Sequence, residues 1–131
     1  MKTSKKRIRI IVEKTDTGFS AYALEYSIYT TAKSVSELIE NAFEATSLYF
    51  EEKNTRVERN NLKFEFDLKQ FFLYYRVINS KFLANKIGMN PTLLSQYVRG
   101  HKRPSEAQTK KIFQGINKIG SELAEIRLIH K

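Results

Sequence analysis

The chain has no cysteine in its 131 residues. That removes disulfides, thiolate metal sites and a cysteine nucleophile together, and it suits a reducing compartment. Histidine occurs twice, at His101 and His130, far apart in sequence. A zinc site or a Ser–His–Asp triad is therefore not expected. No apolar run approaches the ~18 residues that a membrane span requires. The N-terminus, MKTSKKRIRI, is basic but has neither the long apolar segment nor the small-residue cleavage site of a signal peptide. The expectation is a cytoplasmic protein without a membrane partner and without a cofactor.

Acidic residues are scarce in one half only. Residues 1–67 hold 11 Lys+Arg and 11 Asp+Glu, whereas residues 68–131 hold 12 Lys+Arg and 3 Asp+Glu. The whole net charge of +9 therefore lies in the second half. A polyanion-binding module fused to a neutral one is the natural reading. The hydrophobic fraction of 41% is enough to build a packed core.

The first half reads as β-β-β-α-β. Ile8, Ile10 and Val12 alternate with Arg7, Arg9 and Glu13, the pattern of a half-buried strand. Thr15-Asp16-Thr17-Gly18 supplies turn chemistry, and residues 19–24 complete a hairpin. Residues 26–31 are aromatic and β-branched and read as a third strand. Ser34-Val35-Ser36-Glu37 fits a capping box that opens a helix running to about Lys53. Val35, Leu38, Ile39, Ala42, Phe43, Tyr49 and Phe50 share its apolar face. Residues 54–61 read as a loop, and residues 62–67 alternate as a fourth strand. One amphipathic helix on one small sheet makes an α+β unit.

The second half is helical throughout. Asp67 can cap a helix carrying Leu68, Phe71, Phe72 and Tyr75. Asn79 or Ser80 caps the next, which ends at Gly88. Asn90-Pro91 opens another, with Asn at the N-cap and Pro at the first helical position. Pro104-Ser105-Glu106 opens the last, whose Ile112, Ile116, Ile119, Leu123 and Ile126 form a narrow seam. The seam serves either the helical core or, past Gly120, another subunit. The expected division is residues 1–66 and residues 67–131.

Residues 80–99, SKFLANKIGMNPTLLSQYVR, carry the functional signal. Leu83, Ile87, Met89, Leu94 and Tyr97 or Val98 are spaced to hold two short helices together, and Ala84 is small where they approach. Thr92, Ser95, Gln96 and Arg99 project outward from the second. This is the helix-turn-helix arrangement, whose second helix enters the major groove of DNA. Gln can bridge adenine N6 and N7, and Ser and Thr can contact bases or phosphates. Arg99, His101, Lys102 and Arg103 make a basic turn just beyond, with Lys81, Lys86, Lys110 and Lys111 adding charge suited to phosphate.

The run NSKFLANKIGMNPTLLSQYVRGHKRPSEAQ, residues 79–108, resembles the helix-turn-helix of the Xre/Cro repressor class. The chain as a whole is similar to HicB-family antitoxins, through the order of its elements, the strand GFSAYAL and the helix SVSELIENAFEAT. It departs from many members at EYSIYTTAK, residues 25–33, where they carry a Pro-Gly-Cys segment. The resemblance implies a partial RNase H-like N-terminal unit that occludes a small RNA-cleaving toxin of the HicA type. It implies a C-terminal unit that binds operator DNA to repress its own operon, in a homodimer or larger assembly. DNA-facing positions then fall at Asn90, Thr92, Ser95 and Gln96, with Lys81, Arg99, Lys102 and Arg103 nearer the backbone. A DNA-binding regulator without a toxin, whose first unit dimerises or senses a ligand, is the alternative.

A metal-dependent nuclease would need several convergent carboxylates. Glu13, Glu65 and Asp67 lie at strand ends. Glu37, Glu40 and Glu44 line the helix face opposite its apolar stripe, as solvated surface or as an acidic patch for a basic partner. The sequence favours a binding protein over an enzyme.

Overall fold

The structure, a computed structural model, describes residues 2–127. The fold is mixed α+β, a small β-rich part followed by helices. It divides into two compact units, Met1–Phe71 and Phe72–Lys131.

The first unit is built on a four-stranded sheet. β2 (Ile8–Thr15) and β3 (Gly18–Ala23) form a hairpin, and β4 (Tyr29–Ala32) pairs antiparallel with β3. β6 (Leu62–Phe66) adds to the free side of β2, in parallel, giving the order β4-β3-β2-β6. β4 and β6 therefore lie on opposite edges yet run the same way. The chain between them must cross the sheet, and α1 (Val35–Glu51) makes the crossing. Its Leu38, Ala42, Thr46 and Phe50 are buried, one turn apart along a straight stripe. Ile8, Ile10, Val12, Ala21, Ala23, Ile28, Val57 and Leu62 complete the core.

Thr46 is fully buried, and among the described residues its hydroxyl has no hydrogen-bond partner. Gly18 is required by crowding. A Cβ there would overlap the backbone of β4 at the Ala32 carbonyl oxygen.

The expected third strand is displaced. Ile28 N–H donates to Tyr26 O at 2.8 Å, so residues 26–28 form a tight turn and the strand begins at Tyr29. Tyr26 instead packs edge-on against Tyr49 and Phe50, at centroid distances of 5.7 and 5.0 Å. The expected loop over residues 54–61 holds a short strand, β5 (Thr55–Arg56), and a 3₁₀ turn over Arg59–Asn61. β5 pairs in parallel with another unexpected strand, β1 (Lys2–Thr3). The apolar face of α1 is narrower than its sequence pattern, with Val35 and Ile39 each 39% exposed. Its capping box is half made. Ser34 Oγ accepts from Glu37 N–H at 3.2 Å, and the helix stops at Glu51.

α2 (Leu68–Tyr74) starts where Asp67 Oδ1 accepts from Gln70 N–H at 3.0 Å. The first turn of α2 belongs with the sheet, so the division between units falls inside this helix rather than before residue 67. Gln70 explains why. Its side chain accepts from Lys14 N–H at 2.9 Å and donates to Lys14 O at 2.7 Å. One carboxamide thus substitutes for a strand residue where β6 has ended.

Candidate nucleic-acid interface

The second unit contains α3 (Ser80–Ile87), α4 (Pro91–Val98) and α5 (Glu106–Ala124). Each start is set by a side-chain oxygen that satisfies a free backbone N–H. Asn79 Oδ1 accepts from Phe82 N–H at 3.1 Å, so Asn79 rather than Ser80 caps α3. Asn90 Oδ1 accepts from Thr92 N–H at 2.8 Å, and Ser105 Oγ accepts from Gln108 N–H at 3.1 Å. Gly88 ends α3 at φ 70°, in the left-handed region that glycine enters without a Cβ penalty. Met89 N–H then donates to Ala84 O at 2.9 Å, and the chain turns directly into Asn90 and Pro91.

Two helices joined by so short a turn need a small, dense contact. Leu83, Ala84, Met89, Leu94, Tyr97 and Ile112 are all buried. Tyr97, not Val98, is the buried member of that pair. Gly115 marks the closest approach of α5 to α3, where a Cβ would overlap Ile87 Cγ2 and lie 3.4 Å from Leu83 Cδ1. The sequence carried a signal for this position: a glycine inside a helical pattern, three residues after the buried Ile112.

Thr92, Ser95, Gln96 and Arg99 recur at intervals of three and four along α4, so they share one face, opposite Leu94 and Tyr97. Thr92 and Arg99 are exposed, and Ser95 and Gln96 are half-buried. Asn90 is exposed at the head of the same helix, its side-chain oxygen committed to the cap.

The basic turn folds back on the end of α4. Gly100 sits at φ 79°, and Gln96 O accepts from His101 N–H at 2.9 Å and from Lys102 N–H at 3.2 Å. His101, Lys102 and Arg103 are exposed there, and Lys81 is exposed on α3. Lys81, Arg99 and Lys102 form no ion pair among the described residues. Lys86 differs from the expectation of a free cation, because its Nζ lies 3.1 Å from Glu122 Oε2 on α5.

The seam of α5 fades along its length. Ile112 is buried, Ile116 and Ile119 are half-buried and Leu123 is 61% exposed. Ile126, expected on the same seam, lies past the end of the helix at Ala124 and is 74% exposed. His130 lies outside the described residues.

Two carboxylates of the first unit are held by arginines. Glu65 takes a two-pronged contact from Arg9, at 2.6 and 3.2 Å. Glu40 is held the same way by Arg59, at 2.7 and 2.9 Å, so the acidic ladder of α1 is neutralised at its middle member. The bond from Arg59 keeps the Glu40 carboxyl below its ordinary range. Burial, then the charges of Glu13 and Asp67, raise the Tyr22 phenol above its usual value. Among the described residues no three His, Asp or Glu side chains gather as a metal-holding group. No helix among them is long and apolar enough to cross a membrane.

No family model matches the chain. Over 42 residues, 32% of its length, it is 48% identical to a protein of Archaeoglobus fulgidus named UPF0150 protein. The matched stretch spans 64% of that relative. Its name states neither a ligand nor an activity, so function is argued from geometry.

Proposed function

We propose that the chain is a duplex-DNA-binding transcriptional regulator, with α3 and α4 as its helix-turn-helix and α4 as the recognition helix. One observation carries the reading: a single face of α4 presents Thr92, Ser95, Gln96 and Arg99, flanked by unpaired cations at Lys81 and Lys102. Polar side chains suited to base edges, framed by positive charge suited to phosphate, are what groove reading requires. Asn90 and Arg103 border that face at its two ends.

The resemblance to HicB-family antitoxins extends the proposal. The first unit then covers a small HicA-type RNA-cleaving toxin, and the second represses the operon encoding both. A regulator acting without a toxin is the second reading, supported by Leu123 and Ile126, an exposed apolar end suited to pairing of copies. In either case a dimer reads two half-sites about one helical turn apart.

Fluorescence anisotropy on duplexes from upstream of the gene and on scrambled duplexes tests the DNA reading. The expected preference for the upstream duplex is about a thousandfold at moderate salt. Gln96→Ala should reduce that preference, while Lys102→Ala should weaken both duplexes equally and lower the salt slope by about 1. Equal, weak binding to both duplexes overturns the reading. Co-purification of a small basic protein with the tagged chain, and its absence, separate the antitoxin from the stand-alone regulator.

A further inference from the structure

The first unit has balanced charge as a whole, but its charges are not evenly spread. Lys2, Lys5, Lys6 and Arg7 fall within six residues, and all four are exposed. None forms an ion pair among the described residues. The acids that follow α1 in the chain are spent elsewhere or stand in solvent. Glu58 lies 3.7 Å from Arg56, and Glu51 and Glu52 are exposed at the end of the helix.

The segment bearing these cations is fixed in place. β1 pairs with β5, which sets Thr3 opposite Arg56, and Ser4 N–H donates to Arg56 O at 2.8 Å. Asn61 closes the other side. Its Nδ2 donates to Ser4 O at 3.2 Å and to Lys6 O at 3.1 Å, while its Oδ1 accepts from Glu58 N–H at 2.7 Å. A solvated basic tail would need no such clamp. A cation cluster held in one shape loses less conformational entropy when it meets a regular array of anions.

We propose that residues 2–7 form a second nucleic-acid contact, in which Lys2, Lys5, Lys6 and Arg7 take consecutive phosphates of a DNA backbone. The partner is argued from the surroundings. Thr3 and Ser4 offer hydroxyls to phosphate oxygens, whereas a membrane surface would need an apolar face beside the charge. The contact carries no sequence information. It adds affinity by joining a second attachment point to the first. It rests on the reading of the chain as a DNA-binding protein.

The test is the slope of log affinity against log salt, measured on the full chain with a duplex of roughly four helical turns. Lys5→Ser/Lys6→Ser/Arg7→Ser should lower the slope by about 2 to 3, since each lost phosphate contact removes about 0.9. It should leave the ratio of upstream to scrambled binding unchanged. Lys33→Ser/Lys63→Ser, which removes charge from the same unit elsewhere, should leave the slope as it was. An unchanged slope in the triple variant overturns the proposal, including when that variant loses binding to anionic lipid vesicles instead. Equal losses per charge in both variants also overturn it, because net charge then explains the effect. Gln96→Ala/Arg99→Ala separates the two readings. If it leaves binding intact while the triple variant weakens it, the helix-turn-helix reading fails and the loop contact stands. If the parent chain binds neither duplex, both fall.

Discussion

Away from the cationic run at residues 2–7, the two units treat charge differently. In the first, Arg9 meets Glu65, Arg59 meets Glu40 and Arg56 approaches Glu58. In the second, Lys86 with Glu122 is the pair that the described residues show, against a large excess of cations. Exposed pairs contribute only about 0–1 kcal/mol each, so the contrast is not one of stability. It is one of field. Paired charges cancel at a distance, while unmatched cations sum into a potential that draws in a polyanion. The units also differ in what holds them together. The first depends on strands far apart in sequence, and the second on helix caps and a compact contact among neighbouring helices.

The strongest way to break the comparison is to remove a core side chain from each unit separately. Leu38→Ala and Leu83→Ala both delete fully buried side chains and should each cost about 2–5 kcal/mol. Hydrogen exchange should show Leu38→Ala releasing amides of residues 35–66 while residues 80–115 keep their protection. Leu83→Ala should do the reverse. Loss of protection in both units from either change would mean that they are one cooperative body.

A paired glycine test sharpens the account of the helical unit. Gly115→Ala adds a methyl where Ile87 already stands, and overpacking should cost about 1–3 kcal/mol despite the better helix propensity of alanine. Gly120 has open space around its Cβ position, so Gly120→Ala should stabilise by about 0.5–1 kcal/mol. Thermal melts with opposite signs support the close approach of α5 to α3. Two increases would deny it.

The smallest effect lies in the pairing itself. The folded-state pKa of Glu40 is depressed by Arg59. Its contribution is therefore present above the ordinary carboxylate range and lost as pH falls through the lowered value. Glu40→Gln should lower stability slightly at neutral pH, leave it unchanged below the lowered carboxyl value, and so flatten the acid limb. An unaltered pH profile would show that solvent screening already removes the effect.

Much of this was legible in the sequence, for reasons that differ by region. β2 and β6 announce themselves by alternation, and β3 by the turn chemistry that precedes it. The helix pair is marked at each end by Asn79, Gly88, Asn90 and Pro91, whose chemistry is local. What escaped was non-local or mimicked something else. Tyr26 and Ile28 have the composition of a strand, but they serve a turn whose tyrosine packs on Tyr49 and Phe50. β1 and β5 are two polar residues each, too short to show a period. Gln70 acts through a side chain that imitates backbone. In the candidate interface the face of α4 followed from spacing alone, whereas the pairing of Lys86 required knowing that α5 returns to α3.

The position of β6 has a consequence for how the chain is made. β2 lies inside the sheet, with Ile8 opposite Leu62 and Val12 opposite Phe66. Its second edge therefore stays open from its emergence until residue 66 has left the ribosome. At roughly 5–20 residues per second that interval lasts on the order of several seconds. Throughout it, the strand bearing Ile8, Ile10 and Val12 offers unpaired amides and carbonyls to any neighbouring chain. The helical unit, assembled from contacts close in sequence, has no comparable wait. Crowded synthesis at high temperature should thus injure the first unit through its unfinished edge, before its finished stability is ever tested.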